Sequence, residues 1–404
     1  MSITLALRNI LRQKLRSGVT LMAVAFGVVG LILAGGFIQD IFVQLGEAII
    51  HSQTGHLQIF KKDFLAKGTR SPERFMIENP AAIEAKIAQQ EGVDAVMGRL
   101  YFSGLLNNGR RDFAIVGEGL EADKEARLGS FLMITEGRHL QAGDRGGIML
   151  GDGLARSLGL KPGDRVTLLA NTREGAMNTL DLQVVGVFQT FSKEYDARAV
   201  RIQLAAAQEL ISNPGVNLLV VSLRDTAHTD QALGLVEKLL DGSEFEVKSW
   251  RTISDYYDKA VQLYDRQFGV LQLIILLMVL LSVANSVNMS LFERQGEFGT
   301  MQALGNKRRD VVRLVIMESA LLGFSGAVIG VVAGVLLALL ISAIGIPMPP
   351  PPNSNVGYTA TIRVVPLTIM MAFFIGFLAT VMAAVLPARK ISRIAIVDAL
   401  RQNV

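Results

Sequence analysis

The fold of this chain is decided by a short polar stretch, ERQGEFGTMQALGNKRRDVVR, at residues 293–313. It lies between two apolar runs, residues 268–291 and 314–346, and each run is long enough to cross a membrane as a helix. A polar island this short cannot fold as a domain, so it is predicted to connect two spans. Loops rich in lysine and arginine stay on the cytoplasmic side. The basic residues of the island are Arg294, Lys307, Arg308, Arg309 and Arg313.

Within the island, a three-residue spacing predicts a short helix with one apolar face. Phe298, Met301 and Leu304 recur every three residues, and Glu297 lies off the face that they share. Gly305 follows and tolerates the left-handed conformation that commonly ends a helix. Composition alone leaves two interpretations open, a small amphipathic helix across the cytoplasmic end of two spans and an ordinary positively charged loop.

The island resembles the E-R-x-x-E-[IF]-G-x-x-x-A-[LIM]-G signature of the FtsX-like permease family. That family supplies the membrane subunits of ABC transporters of the lipoprotein-releasing (Lol) and MacB type, and there the segment is a coupling helix that docks on a cytoplasmic ATPase. The resemblance implies the same role for Glu293, Arg294, Glu297, Phe298, Gly299, Met301, Ala303, Leu304 and Gly305. We expect the acidic pair Glu293 and Glu297 to meet basic groups of that ATPase.

The resemblance extends over nearly the whole chain. GDGLARSLGLKPGD at residues 151–164 is similar to a stretch of the family's extracytoplasmic domain, which has a core ("porter") subdomain and an inserted one. PARKISRIAIVDALR at residues 387–401 is similar to the family's tail, P-A-x-x-A-[AS]-x-x-x-P-[VI]-[ED]-A-L-R. Ile396 stands at the position of the usual proline of that tail.

Composition excludes several classes of protein. With 404 residues, half of them hydrophobic, and a mean hydropathy of +0.38, the chain is too apolar for an ordinary soluble protein. It has no cysteine, which excludes disulfides, thiolate metal sites and cysteine acylation. The sequence has no metal-ligand spacing, nucleophile–base constellation or G-x-x-x-x-G-K-[ST] nucleotide loop. We therefore expect a non-catalytic subunit without cofactor or nucleic acid, with ATP and Mg²⁺ bound by a partner ATPase.

These patterns divide the chain into nine parts. In order, the predicted parts are a cytoplasmic interfacial helix (1–18), a first span (19–44), an extracytoplasmic domain (45–265), a second span (266–291), the coupling segment (292–313), a third span (314–346), an outer loop (347–363), a fourth span (364–386) and a cytoplasmic tail (387–404). The fold class is thus an α/β extracytoplasmic domain, with a porter-like core and a β-rich inserted subdomain, on a four-helix transmembrane domain. Basic residues crowd the parts assigned to the cytoplasm, which predicts cytoplasmic termini and a periplasmic domain at a bacterial inner membrane.

Two features of this division had competing interpretations. A cleavable signal peptide competes with the first span, but the apolar run exceeds a usual signal core, so we expect the span to be retained. In the extracytoplasmic domain, a strand–helix–strand order occurs early and again late, and the two halves are expected to pair into one open sheet. Residues 131–210 between them are predicted to form the β-rich insertion.

Small and polar residues in the spans predict close helix packing. Gly326, Gly330 and Gly334 give the third span a flat face, and Asn285 in the second span favours bonding between helices over a polar translocation pathway. Glu318, in the third span, is expected to be a paired or snorkelling carboxylate and not a proton relay.

The resemblance leaves three functions open. A Lol-like permease would extract lipoproteins or lipids from the outer leaflet, a MacB-like permease would drive export, and an FtsX-like permease would activate a periplasmic partner. The absence of a fused ATPase and the Thr54-Gly55-His56 entry to the domain favour the Lol-like branch. The implied partners are an ABC ATPase dimer, a second permease copy or paralogue, the lipoprotein or lipid substrate, a periplasmic acceptor and membrane lipids.

Lateral entry of an acylated client requires an apolar surface continuous with the leaflet, because each exposed methylene costs ~0.8 kcal/mol. The outer ends of the first two spans offer such a surface. The candidate residues are Phe37, Ile41, Phe42, Leu45, Leu263, Tyr264, Phe268 and Leu271. The same residues are equally compatible with a purely structural contact between the two helix extensions.

Overall fold

The computed structural model describes residues 3–12, 14–68, 72–128, 132–172, 174–349 and 357–392. The predicted tail beyond residue 392 lies outside these ranges. The chain forms two compact units. One consists of Met1–Phe42, Ala260–Pro347 and Thr359–Val404, and the other of Val43–Lys259 and Met348–Tyr358.

The helices and strands follow the predicted alternation. The helices are α1 (Ile3–Arg12), α2 (Lys14–Ile49), α3 (Pro80–Ala88), α4 (Ala122–Leu128), α5 (Asp152–Leu158), α6 (Lys193–Asp196), α7 (Leu204–Ile211), α8 (Thr229–Leu239), α9 (Trp250–Ile253), α10 (Asp255–Glu293), α11 (Gln295–Ala303), α12 (Arg308–Ile344) and α13 (Pro366–Ile391). The strands are β1 (Leu57–Lys61), β2 (Val93–Asn107), β3 (Asp112–Leu120), β4 (Met133–Gly137), β5 (Gly147–Gly151), β6 (Arg165–Asn171), β7 (Met177–Gln189), β8 (Ala199–Gln203), β9 (Leu218–Leu223), β10 (Phe245–Ser249), β11 (Ile346–Met348) and β12 (Tyr358–Ala360).

The first unit is a bundle built on long apolar helices. Within the described residues, four helices are long and apolar enough to cross a membrane, as the sequence predicts, and they contain α2, α10, α12 and α13. Helix α2 has 36 residues and α10 has 39, whereas about 20 suffice to cross a bilayer. Both helices therefore continue beyond the predicted spans, because their polar ends remain helical.

The glycine face of the third span lies against the first span. A Cβ atom at Gly330 would lie 2.9 Å from the carbonyl oxygen of Ala25, and one at Gly326 would lie 3.0 Å from the Cβ of Val24. A Cβ at Gly334 would lie 3.0 Å from the Cδ1 atom of Ile32, further along α2. Any larger side chain here would push α12 away from α2, so these glycines set the distance between the two helices.

The second unit is built on one ten-stranded mixed sheet with the order β10-β1-β9-β2-β3-β8-β5-β7-β4, and β6 pairs with β2 and β7. The early and late halves pair as predicted, since β1 lies between β9 and β10 and β9 also pairs with β2. The insertion does not form a sheet of its own, because β8 runs parallel to β3 and extends the same sheet. One hydrophobic cluster joins side chains of β2 and β3 to those of the inserted strands β5 to β8, and another contains side chains of β1, β9 and β10.

The end of the first-span helix enters this sheet directly. Helix α2 is followed by a wider helical turn at Ile50–Thr54, and Gly55 then turns the chain into β1. Gly55 has a positive φ of 65°, and a Cβ there would collide with the side chain of Val220. Only glycine fits this junction without strain.

Candidate coupling site

The polar island forms the short helix that its sequence predicts. Helix α10 ends at Glu293, Arg294 adopts a non-helical conformation with φ −102° and ψ 14°, and α11 follows. After α11, Gly305 takes a positive φ of 96°, and the amide of Asn306 donates to the carbonyl oxygen of Met301 at 3.1 Å. The left-handed glycine therefore ends the helix where the sequence predicts.

Arg294 is the central residue of this segment. Its buried guanidinium donates to both carboxylate oxygens of Glu318 on α12, at 2.7 and 3.2 Å. It also donates to Glu297 at 3.0 Å and lies 5.1 Å from the centre of the Phe298 ring. Burial acts to lower the pKa of Arg294, but the bonds to Glu318 and Glu297 outweigh it and the pKa is raised. The arginine thus stays charged and joins α11 to the third span.

The N-terminal helices complete the same cluster. Asn9 on α1 donates to Glu318 at 2.6 Å, and Arg12 donates to Glu297 at 2.9 Å. Arg16, at the start of α2, forms a two-pronged pair with Glu293 at the end of α10. We call this set the coupling cluster, and its members are Asn9, Arg12, Arg16, Glu293, Arg294, Glu297 and Glu318. Glu318 is thus a paired carboxylate, and the cluster connects five helices.

The coupling cluster bears on the expected contact with an ATPase. Glu293 and Glu297 have arginine partners within the chain, so basic groups of an ATPase would have to compete with Arg12, Arg16 and Arg294, and that contact stays a prediction. The prediction of one shared apolar face is wrong for Leu304, which is 80% exposed, whereas Phe298 is 2% exposed. The reason is that α11 ends at Ala303, so Leu304 lies beyond the helix.

The exposed part of the island is apolar and cationic. Gly299 is buried and Met301 is half-buried, whereas Ala303, Leu304 and Gly305 are exposed. After Asn306, the cations Lys307, Arg308 and Arg309 are exposed and form no ion pair among the described residues. We call this surface the docking tip, and its members are Ala303, Leu304, Gly305, Lys307, Arg308 and Arg309.

One polar residue of the second span bonds to another helix within this chain, and Asn285 does not. Asn285 is exposed in this single chain. Its neighbour Ser286 makes the contact between helices, with its hydroxyl 2.6 Å from that of Thr20 on α2. One residue along a helix rotates the side chain by about 100°, which separates the two positions.

The candidate entry residues fall into two groups. Phe42 is buried, and its ring meets that of Tyr264 edge to face, with centroids 6.3 Å apart. Phe37, Ile41, Tyr264 and Phe268 are half-buried, as is Leu45, which packs on the cluster of Ile49, Ile50 and Trp250. Leu263 and Leu271 are exposed. Only these last two offer the free apolar surface that entry requires.

Two buried arginines in the sheet were not found from the sequence. Arg201 is 3% exposed, donates to Glu118 at 3.0 Å, and donates to the carbonyl oxygen of Ser52 at 3.0 Å. Arg99 is 1% exposed, pairs with Glu125, and donates to the carbonyl oxygen of the residue after Ser52.

We call Arg99 and Arg201 with their two glutamates, Glu118 and Glu125, the arginine pair. The two carbonyls belong to the last helical turn after α2, where cations are favourable. The sheet therefore holds the end of the first-span helix through buried, charged hydrogen bonds. A usable signal existed in the sequence, because Arg99, Glu118 and Arg201 each interrupt an apolar stretch of a strand, in β2, β3 and β8.

A buried carboxylate at the outer part of α2 was also missed. Asp40 is fully buried and accepts hydrogen bonds from the backbone amide and hydroxyl of Thr361, at 2.8 and 2.9 Å. Arg363 donates to it at 3.0 Å. Asp40 thus fixes the segment before α13 to the first span. In the described part of the chain, no group of histidine and acidic residues could hold a metal ion.

Comparison with known proteins decides the family. The model of the MacB-like periplasmic core domain matches residues 17–239, and that of the FtsX-like permease C-terminal region matches residues 269–396. The chain belongs to the FtsX- and MacB-like ABC transporter permeases. This confirms the family that the signature of the island indicates.

Relatives of this permease differ in their described roles. An uncharacterized ABC transporter permease of Methanocaldococcus jannaschii is 24% identical, covering 99% of this chain and 97% of its own. The lipoprotein-releasing system transmembrane protein LolE of Haemophilus influenzae is 23% identical, covering 79% of this chain and 75% of its own. The macrolide export ATP-binding/permease protein MacB of Chlorobium luteolum is 23% identical, covering 56% of this chain and 34% of its own.

Proposed function

We propose that this chain is the non-catalytic permease subunit of an ABC transporter whose ATPase is a separate chain. ATP-driven movement of that ATPase would be passed through the membrane helices to the extracytoplasmic domain. There it would release lipoproteins or lipids from the outer leaflet of the inner membrane.

The docking tip supports the first step. Leu304 is an exposed apolar side chain, and the exposed cations Lys307, Arg308 and Arg309 follow it in the chain. A shallow acidic groove on the ATPase would complement this surface. The coupling cluster bonds α11 to α1 and α12, and it bonds α2 to the end of α10 through Arg16 and Glu293. A push on the tip would therefore move these helices together.

The course of α2 carries the proposal. It is one continuous helix from Lys14 to Ile49, bonded through Arg16 to the coupling cluster at its start. Its extension at Ile50–Thr54 is held by the arginine pair. We propose that a displacement of this helix is passed on to the sheet through these bonds.

Membrane position and partners follow from the same surfaces. We propose that both termini lie in the cytoplasm and the sheet in the periplasm, and the positive charge of the docking tip supports this orientation. Exposed Asn285 on α10 is a polar amide on a membrane helix, which suits contact with a second permease copy or paralogue. Leu263 and Leu271 are the proposed contacts for an acyl chain entering from the leaflet.

A MacB-like export role is the second candidate. It is supported by the match of the MacB-like periplasmic core domain to residues 17–239. In that case the same helix movement would drive a soluble cargo onward, and Leu263 and Leu271 would contact only lipid or a second permease.

Two measurements test these proposals. In proteoliposomes with the cognate ATPase, Leu304→Glu should reduce binding of the ATPase and the coupled activity by about tenfold, because a carboxylate would enter an acidic groove. Leu239→Glu, at an exposed leucine of α8, is the matched control and should change neither. Wild-type ATPase binding by Leu304→Glu would exclude the docking tip.

Photo-crosslinkers at Leu263 and Leu271 separate the two roles. Labelling of an acylated protein that disappears on addition of ATP supports lipoprotein release. Labelling of lipid or a permease alone, while a soluble cargo is exported, would support the MacB-like role instead.

A further inference from the structure

The extracytoplasmic unit contains a cavity of about 590 Å³ that neither the coupling cluster nor the arginine pair explains. Its walls come from the end of the α2 extension, from β1, β2, β3 and β9, and from the segment between β7 and α6. Cavities that bind drug-sized molecules have volumes of about 300–1,000 Å³. This one is therefore large enough for a small organic ligand.

Aromatic side chains dominate the apolar part of the wall. They are Phe64, Tyr101, Phe102, Phe191, Tyr195 and Tyr256. Flat rings offer contact area to an apolar body, and their faces attract cations. The cavity is thus suited to a hydrophobic molecule, and its rings add a preference for a positive group.

The charged groups of the wall point to the same sign. Among the described lining residues the charged side chains are Glu118 and Glu194, and neither lysine nor arginine lines the cavity. Their arginine partners, Arg201 and Arg198, lie outside the lining. An anionic ligand would meet carboxylates, whereas an amine would be attracted to them.

Two polar atoms of the wall have no hydrogen-bond partner among the described residues, Nε2 of Gln53 and the hydroxyl of Tyr195. The amide nitrogen Nε2 of Gln53 is buried, and no described residue accepts a hydrogen bond from it. A buried donor without an acceptor is unfavourable and uncommon in folded proteins. A ligand carrying a carbonyl or sulfonyl oxygen would satisfy it.

We propose that this cavity binds a small cationic amphiphile, a molecule with an apolar body, a hydrogen-bond acceptor and an amine. The site goes beyond the transport role proposed above. It rests on the cavity, its rings, its carboxylates and the unpaired amide of Gln53.

The single tryptophan of the chain allows a direct test. Trp250 lies three residues before Ile253, which lines the cavity, so it can transfer energy to a bound dansyl group. The full chain in lipid nanodiscs is titrated with dansylcadaverine, which is cationic, with its neutral N-acetyl derivative, and with anionic dansyl-aminocaproate. We expect the cation to bind about tenfold more tightly than the anion, with the neutral probe between them.

Two substitutions locate the binding. Ser103→Phe, at an exposed lining position of β2, should fill the cavity and weaken all three probes at least about tenfold. Glu194→Gln should weaken only the cation, by about threefold, because an exposed carboxylate contributes little. Ser157→Phe, at an exposed serine of α5 outside the cavity, is the matched control and should bind as wild type.

Equal energy transfer from all three probes, or unchanged transfer in Ser103→Phe, would mean that the probes only partition into lipid. Either result overturns the proposal, as does tighter binding of the anion. The release and ATPase assays do not depend on this cavity. A negative result here therefore leaves the proposed transport role untouched.

Discussion

Arg16 near the start of α2 and the extension that follows α2 are each bonded to a set of ion pairs, but the two sets differ in their access to water. In the coupling cluster, the side chain of Arg12 is 73% exposed and that of Glu293 is half exposed. In the arginine pair, Arg201 and Glu118 are almost completely buried. Exposed pairs contribute little and exchange partners readily, whereas breaking a buried pair leaves an uncompensated charge. The coupling cluster is thus suited to rearrangement when an ATPase moves, and the arginine pair to a fixed connection.

The largest expected effect comes from breaking the arginine pair. Arg201→Met leaves the buried carboxylate of Glu118 without its partner and should lower the free energy of unfolding by about 3–5 kcal/mol. Denaturant unfolding of the full chain in detergent, followed by the fluorescence of Trp250, measures it.

A double variant is the control for this prediction. Arg201→Met with Glu118→Leu removes both charges and should recover most of the lost stability, because two apolar side chains can replace a buried pair. If Arg201→Met alone lowered the free energy of unfolding by less than about 1 kcal/mol, the burial of this ion pair would be contradicted.

Acid should weaken the sheet unit more than the coupling cluster. The ring Nδ1 of His56 accepts the amide hydrogen of Leu223 at 3.1 Å, and burial, aided by the nearby His51, lowers the pKa of His56 to about 4. The unfolded chain binds a proton near pH 6.5. Stability is therefore complete above pH 6.5 and should fall by roughly 3 kcal/mol as the pH drops to 4.

The substitution His56→Gln should reduce the fall in the free energy of unfolding between about pH 6.5 and pH 4. Arg294→Met lies in a cluster without histidine, so its profile should keep the wild-type slope. If the free energy of unfolding of His56→Gln depended on pH as in the wild type, groups other than His56 would cause the acid sensitivity.

Within the coupling cluster, the pair of Arg294 and Glu318 is the most buried and should carry the largest energy. Arg294→Met should cost about 2–3 kcal/mol, since the carboxylate of Glu318 keeps only its bond to Asn9. A double-mutant cycle with Glu318→Met should give a coupling energy of about 2 kcal/mol. Additive single effects would show that the two residues act separately.

The smallest effect is expected at the exposed rim of the same cluster. Arg12→Gln removes an exposed pair with Glu297 and should change the free energy of unfolding by less than about 1 kcal/mol. High salt should reduce even this difference, because exposed charges are screened. A change above about 2 kcal/mol that persists in high salt would mean that the rim is as buried as the centre.

The sequence predicts features that depend on neighbouring residues. The apolar runs identify the four spans, and the spacing and glycine of the island identify α11 and its end. The sequence does not predict features that depend on residues far apart in the chain. Glu118 and Arg201 lie 83 positions apart and face each other only because β3 and β8 run side by side. The exposure of Leu304 depends on where α11 stops, and which polar residue of α10 meets Thr20 depends on how the helices pack.

The central claim is that movement at the docking tip reaches the sheet through α2 and the arginine pair. The most direct measurement is the amount of substrate released per ATP hydrolysed in proteoliposomes with the cognate ATPase. It is made on Arg201→Met with Glu118→Leu, which is expected to fold and which removes the charged contact from Arg201 to Ser52 in the extension of α2 while leaving that of Arg99. We predict ATP hydrolysis near the wild-type rate with release per ATP reduced at least about tenfold. Wild-type release per ATP in this variant would contradict the claim.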